Sequence, residues 1–161
     1  MSKRKITIGV IGGSTVDEKN RELAYDVGKH IALNDAILVC GGLGGVMEGA
    51  AKGCMEYGGN TVGILPGLTK ESANPYIKVP VPTGLGDGRN LLIVRASDVL
   101  VAISGGYGTL SEIALALKMN KKVIGLQTWN HIQGIRHVSD PLDAIQEIEK
   151  EILKSGFCKK A

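Results

Sequence analysis

The sequence predicts an α/β fold: a three-layer, doubly wound, mostly parallel sheet of six or seven strands with helices on both faces. Three observations carry that prediction. Short apolar runs alternate with stretches of helical periodicity, as buried parallel strands alternate with crossover helices. Three of these runs stop at glycine clusters, where the strand-to-helix turns of such sheets sit. Finally, a chain of 161 residues, 43% of them hydrophobic, suffices for one core and not for two. Residues 1–161 are therefore expected to form one domain.

The first apolar run, Ile6-Thr7-Ile8-Gly9-Val10-Ile11, ends at Gly12-Gly13 and reads as a buried strand. A helix follows over residues 17–33, where Leu23, Val27 and Ile31 recur every four positions and charged residues fill the other face. Asn34-Asp35 breaks it. Residues 36–40 form a second strand that ends in Gly41-Gly42 and Gly44-Gly45, before a helix through Val46, Met47, Ala50, Ala51 and Cys54. Residues 61–65 form a third strand. The character then changes, because residues 66–89 hold four of the five prolines and four glycines, and leave room for one short strand at Ile77-Lys78-Val79. Loops of that length inside a compact domain usually serve function.

Regular structure resumes with a helix near residues 89–96 and a strand at 99–103. Ser104-Gly105-Gly106-Tyr107-Gly108 opens a helix through Leu110, Ile113, Ala114 and Leu117, and residues 122–126 are the last clear strand. A closing amphipathic helix begins at Asp140-Pro141 and carries Leu142, Ile145, Ile148, Ile152 and Leu153 on one face. Right-handed crossovers turn this alternation into a Rossmann-like sheet, which binds ligands beyond the carboxyl ends of its strands.

Composition narrows the function. Glycine fills 23 positions, roughly twice the usual share, while aromatic residues make up 4%. The net charge of +3 sits in short runs, Lys3-Arg4-Lys5, Lys121-Lys122 and Lys159-Lys160, which read as solvated ends rather than a nucleic-acid footprint. Cys40, Cys54 and Cys158 lack metal-ligand spacing and read as reduced thiols. Neither a signal-peptide core nor an apolar stretch of about 18 residues is found, so a cytoplasmic protein without a membrane partner is expected. His30, His131 and His137 show neither metal nor triad spacing, and no cofactor or metal is called for.

Glycine at a strand-to-helix turn lets the backbone approach an anion, which free amides and the positive helix end then hold. Three such turns supply the candidates Gly13 and Ser14, Gly42 and Gly44, and Gly105, Gly106, Tyr107, Gly108 and Thr109. The first turn lacks the G-x-G-x-x-G spacing of dinucleotide sites, no acidic residue ends the second strand, and the chain holds no G-x-x-x-x-G-K-[ST] loop. NAD-type binding is thus disfavoured, and ATP hydrolysis of the P-loop kind is excluded.

Ser104-Gly105-Gly106-Tyr107-Gly108-Thr109-Leu110-Ser111-Glu112 resembles the P-G-G-x-G-T-x-x-E signature of the LOG ("lonely guy") phosphoribohydrolase-like family and its relatives, the molybdenum cofactor carrier proteins. Gly41-Gly42-Leu43-Gly44-Gly45-Val46-Met47 and Gly88-Arg89-Asn90 are similar to further family segments, and the likeness runs over residues 6–126. The resemblance implies a homodimer or homotetramer that cleaves the N-glycosidic bond of a nucleoside 5′-monophosphate, releasing base and ribose 5-phosphate. It also implies that residues 105–109 hold the phosphate, and that Arg89 and Glu112 are catalytic. Two departures, Ser104 for the motif's proline and Asn90 for the lysine that follows the arginine in hydrolases, point toward the carrier-like branch. That branch would bind a nucleotide or phosphorylated pterin without turnover.

The residues also have plainer readings. A carboxylate such as Glu112 stabilises an oxocarbenium-like state and orients water. Equally, Thr109-Leu110-Ser111-Glu112 has the spacing of a capping box, with a wholly structural glutamate. The two readings part under Glu112→Gln, which keeps the box and is expected to fold with little change in melting temperature yet to lose hydrolysis, whereas retained turnover would remove Glu112 from the catalytic residues. Arg89 offers a permanently charged fork for phosphate or base, or is a surface arginine. Trp129 either stacks on a base or packs. Asp87 in Gly86-Asp87-Gly88 makes a turn, and Cys40 reads as a small apolar residue of the core.

Overall fold

In a computed structural model that describes residues 4–154, seven strands form one sheet in the order β4-β3-β2-β1-β5-β6-β7. These are β1 (Thr7–Gly12), β2 (Ile37–Cys40), β3 (Asn60–Leu65), β4 (Val79–Pro82), β5 (Val99–Ile103), β6 (Lys122–Leu126) and β7 (Ile135–Val138). All six pairings are parallel, where the sequence led us to expect a mostly parallel sheet. Lys3, Cys158 and the Lys159-Lys160 run lie outside the described residues.

The helices are α1 (Glu18–Leu33), α2 (Val46–Glu56), α3 (Asn90–Ala96), α4 (Tyr107–Lys118) and α5 (Pro141–Lys154). Strand alternation divides the core between two faces. Ile8, Val10, Val101 and Ile103 meet α1, α2 and α5 on one side. On the other, Ile11, Leu100 and Ala102 meet α3 and α4. Leu100 and Ile103 are fully buried, and truncating such a side chain to alanine costs about 2–5 kcal/mol. Asp17 caps α1 by accepting the Asn20 amide at 2.9 Å.

α1 and α2 lie in backbone contact. A Cβ at Gly28 would collide with the Ala50 carbonyl, and one at Gly53 with the Tyr25 carbonyl. Part of the glycine surplus therefore serves helix packing rather than ligand.

Two elements differ from the sequence reading. β4 falls at Val79–Pro82 rather than at 77–79, and its Pro80 and Pro82 are tolerated because this is an edge strand with one unpaired side. β7 is the opposite edge, and its exposed Arg136 and His137 leave no apolar run by which to foresee it. No described helix is long and apolar enough to cross a membrane.

The order of sequential strands reverses between β1 and β5, so the loops leaving their carboxyl ends diverge and open a crevice there. That crevice collects the chemistry.

Candidate functional site

The crevice is a cavity of about 340 Å³, within the usual range for small-ligand sites. Its floor is the end of β1 with Gly12, Gly13 and Ser14; one wall is Gly41, Leu43 and Met47, leading from β2 into α2. The other wall is the start of α4, with Gly106, Gly108, Thr109 and Glu112. A 3₁₀ turn at Gly86–Arg89 supplies Asp87 and Arg89, and Asn90 follows at the start of α3.

α4 opens on Gly106, with no side chain capping it, and its first internal bond runs from the Leu110 amide to the Gly106 carbonyl at 3.0 Å. The amides of Tyr107, Gly108 and Thr109 therefore find no backbone acceptor among the described residues. Unspent donors at the positive end of a helix suit an anion. At α2 the Val46 amide is already bonded to the Gly13 carbonyl at 3.0 Å, which ties the β1 turn to the opposite wall.

The helix start overturns the capping-box reading. With Gly106 as cap, Thr109 lies inside the first turn and Glu112 one turn further on, too deep to reach the cap amide. Thr109 instead folds back over Gly105, whose φ of +99° and lack of a Cβ leave room for its side chain. Ser104 before it is also left-handed, with φ +52°. It is held at both ends: its amide donates to the Leu126 carbonyl at 3.0 Å, and its carbonyl accepts the Thr128 hydroxyl at 2.7 Å.

Glu112 is 6% exposed and lines the cavity. Burial drives its carboxyl up to about 8, against the opposing pull of the Arg89 charge, so it is largely protonated at neutral pH. Arg89 is 8% exposed. Its Nε donates to the Ile64 carbonyl at 2.8 Å, Nη2 to the Gly41 carbonyl at 3.5 Å, and Nη1 to the Asn90 side-chain oxygen. No salt bridge within 4.0 Å joins Arg89 to a carboxylate among the described residues. A buried cation without an anion is costly on its own and makes the cavity attractive to one.

Of the residues singled out from sequence, Gly13, Ser14, Arg89, Gly106, Gly108, Thr109 and Glu112 line this one cavity. Gly42, Gly44, Gly105 and Tyr107 do not. Gly42, with φ +75°, packs where a Cβ would meet Leu65 at 2.6 Å, and Gly44 abuts the Ser14 carbonyl. Tyr107 is 83% exposed, and its ring faces Trp129 with centroids 5.9 Å apart. The Trp129 indole N–H reaches the Gly106 carbonyl at 3.3 Å and so braces the glycine turn from behind. None of the three histidines lines the cavity. Burial pushes the Cys40 thiol up to about 12, leaving it a core residue. Leu43, Met47, Asp87 and Asn90 join the lining without having been foreseen as ligand contacts; only the glycines flanking Asp87 hinted at an unusual turn.

The model of the SLOG cluster4 family matches residues 5–154. The chain belongs to that family. The chain is also similar to an uncharacterized protein and to proteins named for two different roles. An uncharacterized protein of Archaeoglobus fulgidus is 45% identical over 86% of this chain and 91% of its own length. A cytokinin riboside 5′-monophosphate phosphoribohydrolase of Mycobacterium tuberculosis is 31% identical over 71% of this chain and 66% of its own length. Among solved structures, the molybdenum cofactor binding protein of Rippkaea orientalis superposes with a TM-score of 0.88 at 36% identity, covering 94% of this chain and 99% of its own. The LOG and carrier-like resemblance first seen around Glu112 thus extends over the whole described sheet.

Proposed function

We propose that the crevice binds the phosphate ester of a nucleotide or phosphorylated pterin, and that the protein carries this ligand rather than cleaving it. The observation that carries the reading is the convergence, in one cavity, of the unspent α4 amides and a buried Arg89 without a carboxylate partner. The phosphate sits at residues 106–109, where each charge-assisted bond is worth about 1.5–3 kcal/mol. A protonated Glu112 donates a hydrogen bond to the ester instead of repelling it. Two further points favour carriage: Asn90 engages the Arg89 guanidinium where the hydrolases place lysine, and the Rippkaea protein matches over nearly its whole length.

Hydrolysis is the second reading, because Glu112 and Arg89 face the same cavity and the Mycobacterium relative is named for that reaction. Ionised, Glu112 would stabilise an oxocarbenium-like state. Incubation with AMP, GMP and a cytokinin riboside monophosphate decides between them. Micromolar binding without released base is the expected outcome; base release at enzymatic rates would replace carriage with hydrolysis. The working form is proposed to be a homodimer or homotetramer, supported by exposed Leu68 and Leu85 in the segment 66–89 beside the crevice. A scattering mass of one chain would refute it.

A further inference from the structure

The crevice has a donor-rich end and, apart from it, one carboxylate that the phosphate reading leaves unused. Asp87 lines the cavity from the 3₁₀ turn, two residues before Arg89. An aspartate in a Gly-Asp-Gly turn ordinarily bends its carboxylate back onto its own backbone. Asp87 does not: its side chain takes part in no hydrogen bond or ion pair among the described residues, in a chain with a surplus of lysine and arginine. The turn beneath it is instead braced by main-chain bonds. The Gly86 amide donates to the Pro66 carbonyl at 3.0 Å, the Gly88 amide to the Leu85 carbonyl at 3.0 Å, and the Asn90 amide to the Asp87 carbonyl. The turn thus presents an exposed carboxylate, unpaired among the described residues, to a cavity suited to phosphate, where it is free to accept hydrogen bonds from a ligand.

We infer that Asp87 reads the edge of the ligand's ring and selects heterocycles that present a ring N–H beside an exocyclic amino group. This inference rests on the phosphate-ester reading above. A carboxylate accepts two parallel N–H bonds and donates none. Guanine and the pterins share the 2-amino-4-oxopyrimidine edge, which offers that pair. Adenine and cytosine offer an amino group beside a bare ring nitrogen, whose lone pair faces the carboxylate; uracil and hypoxanthine offer one N–H alone. Leu43 and Met47 on the α2 wall supply apolar surface for the ring face. Asp87 is accordingly a specificity-determining residue, and the class of ligand narrows to phosphate esters of 2-amino-4-oxo rings, from either a guanine nucleotide or a pterin.

Isothermal titration of the full chain with GMP, neopterin phosphate, AMP and ribose 5-phosphate tests this. At least one of GMP and neopterin phosphate is expected to bind ten times or more tighter than AMP, and the two together tell which source of the edge fits. Ribose 5-phosphate, lacking a ring, reports the phosphate seat alone. Asp87→Asn is expected to cut the preference over AMP at least tenfold and to turn it toward AMP, since a carboxamide matches adenine's donor and acceptor. Asp87→Ala, which removes the acceptor without adding a donor, lowers the preference without reversing it. Equal affinity for all ring-bearing ligands, with ribose 5-phosphate still bound, overturns the role of Asp87 and leaves the seat standing. A preference that survives both substitutions overturns it too. Failure of all four ligands to bind removes the phosphate seat and this inference with it.

Discussion

Replacing Glu112 by glutamine should make the protein's stability depend less on pH, and the size of the effect follows from burial. In the unfolded chain the carboxyl ionises near 4.5; in the fold, burial outweighs the Arg89 charge and holds it protonated up to about 8. Between these two values the folded state carries one more proton than the unfolded one, so stability falls as pH rises. The slope is about 1.36 kcal/mol per pH unit, which amounts to about 4 kcal/mol between pH 5 and pH 8. Above pH 8 both states are ionised, and the loss levels off. Glutamine keeps the shape and polarity without titrating. Wild type and Glu112→Gln should therefore match in urea denaturation near pH 4.5 and part steadily above it, with the variant the more stable. A gap that stays flat from pH 5 to pH 9 would mean that the carboxyl ionises in the fold as freely as in the unfolded chain, and the description of Glu112 as a buried neutral acid would fail.

Gly108→Ala should raise the melting temperature, because a Cβ there meets nothing within 4 Å and alanine gains about 1 kcal/mol over glycine within a helix; titration with ribose 5-phosphate should show weaker binding if phosphate approaches that backbone, and unchanged affinity would move the seat elsewhere. Ser104→Pro, which restores the motif's proline, should cost about 3 kcal/mol or more in chemical denaturation, since proline cannot adopt φ +52° or supply the amide bonded to Leu126. Arg89→Met should abolish binding of phosphate esters by titration, and retained binding would leave the α4 amides as the whole seat. Lys150 and Lys122 hold the Glu147 carboxyl down to about 2, so the stability it confers is complete above 4.5 and lost as pH falls toward 2. Acid titration of Glu147→Gln should accordingly converge with wild type at low pH, and a constant difference would deny the ion pairs their part.

Much of this molecule is legible in its sequence, for physical reasons that also mark where legibility stops. β1, β2, β3, β5 and β6 are central, buried on both faces, and so announce themselves as apolar runs. The edges do not: β4 alternates valine with proline, and β7 is half polar, because a strand with one free side has no need of either a continuous apolar face or every amide. Around the site, glycines at three strand ends signal the crevice, yet only coordinates separate those facing it from those that let chains touch, as Gly28 and Gly53 do between α1 and α2. The Thr109-to-Glu112 spacing fits a helix cap equally well; what decides against it is that Gly105 and Gly106 start the helix earlier. Asp87 was readable as a turn residue and no more, since whether a turn aspartate bonds its own backbone is a matter of orientation.

The backbone contact between α1 and α2 has a mechanical consequence. Helices separated by side chains can slide a little as those side chains change rotamer, whereas helices that meet carbonyl against Cα have no such lubricant. The pair therefore behaves as one stiff plank, and the Val46 bond to Gly13 clamps the crevice floor to it. Whatever breathing admits a ligand must come from the far bank, where the proline-rich segment 66–89 is tied down by individual hydrogen bonds, such as those from Asn74 to the Leu43 carbonyl and from Thr83 to the Leu65 carbonyl, rather than by packed helices.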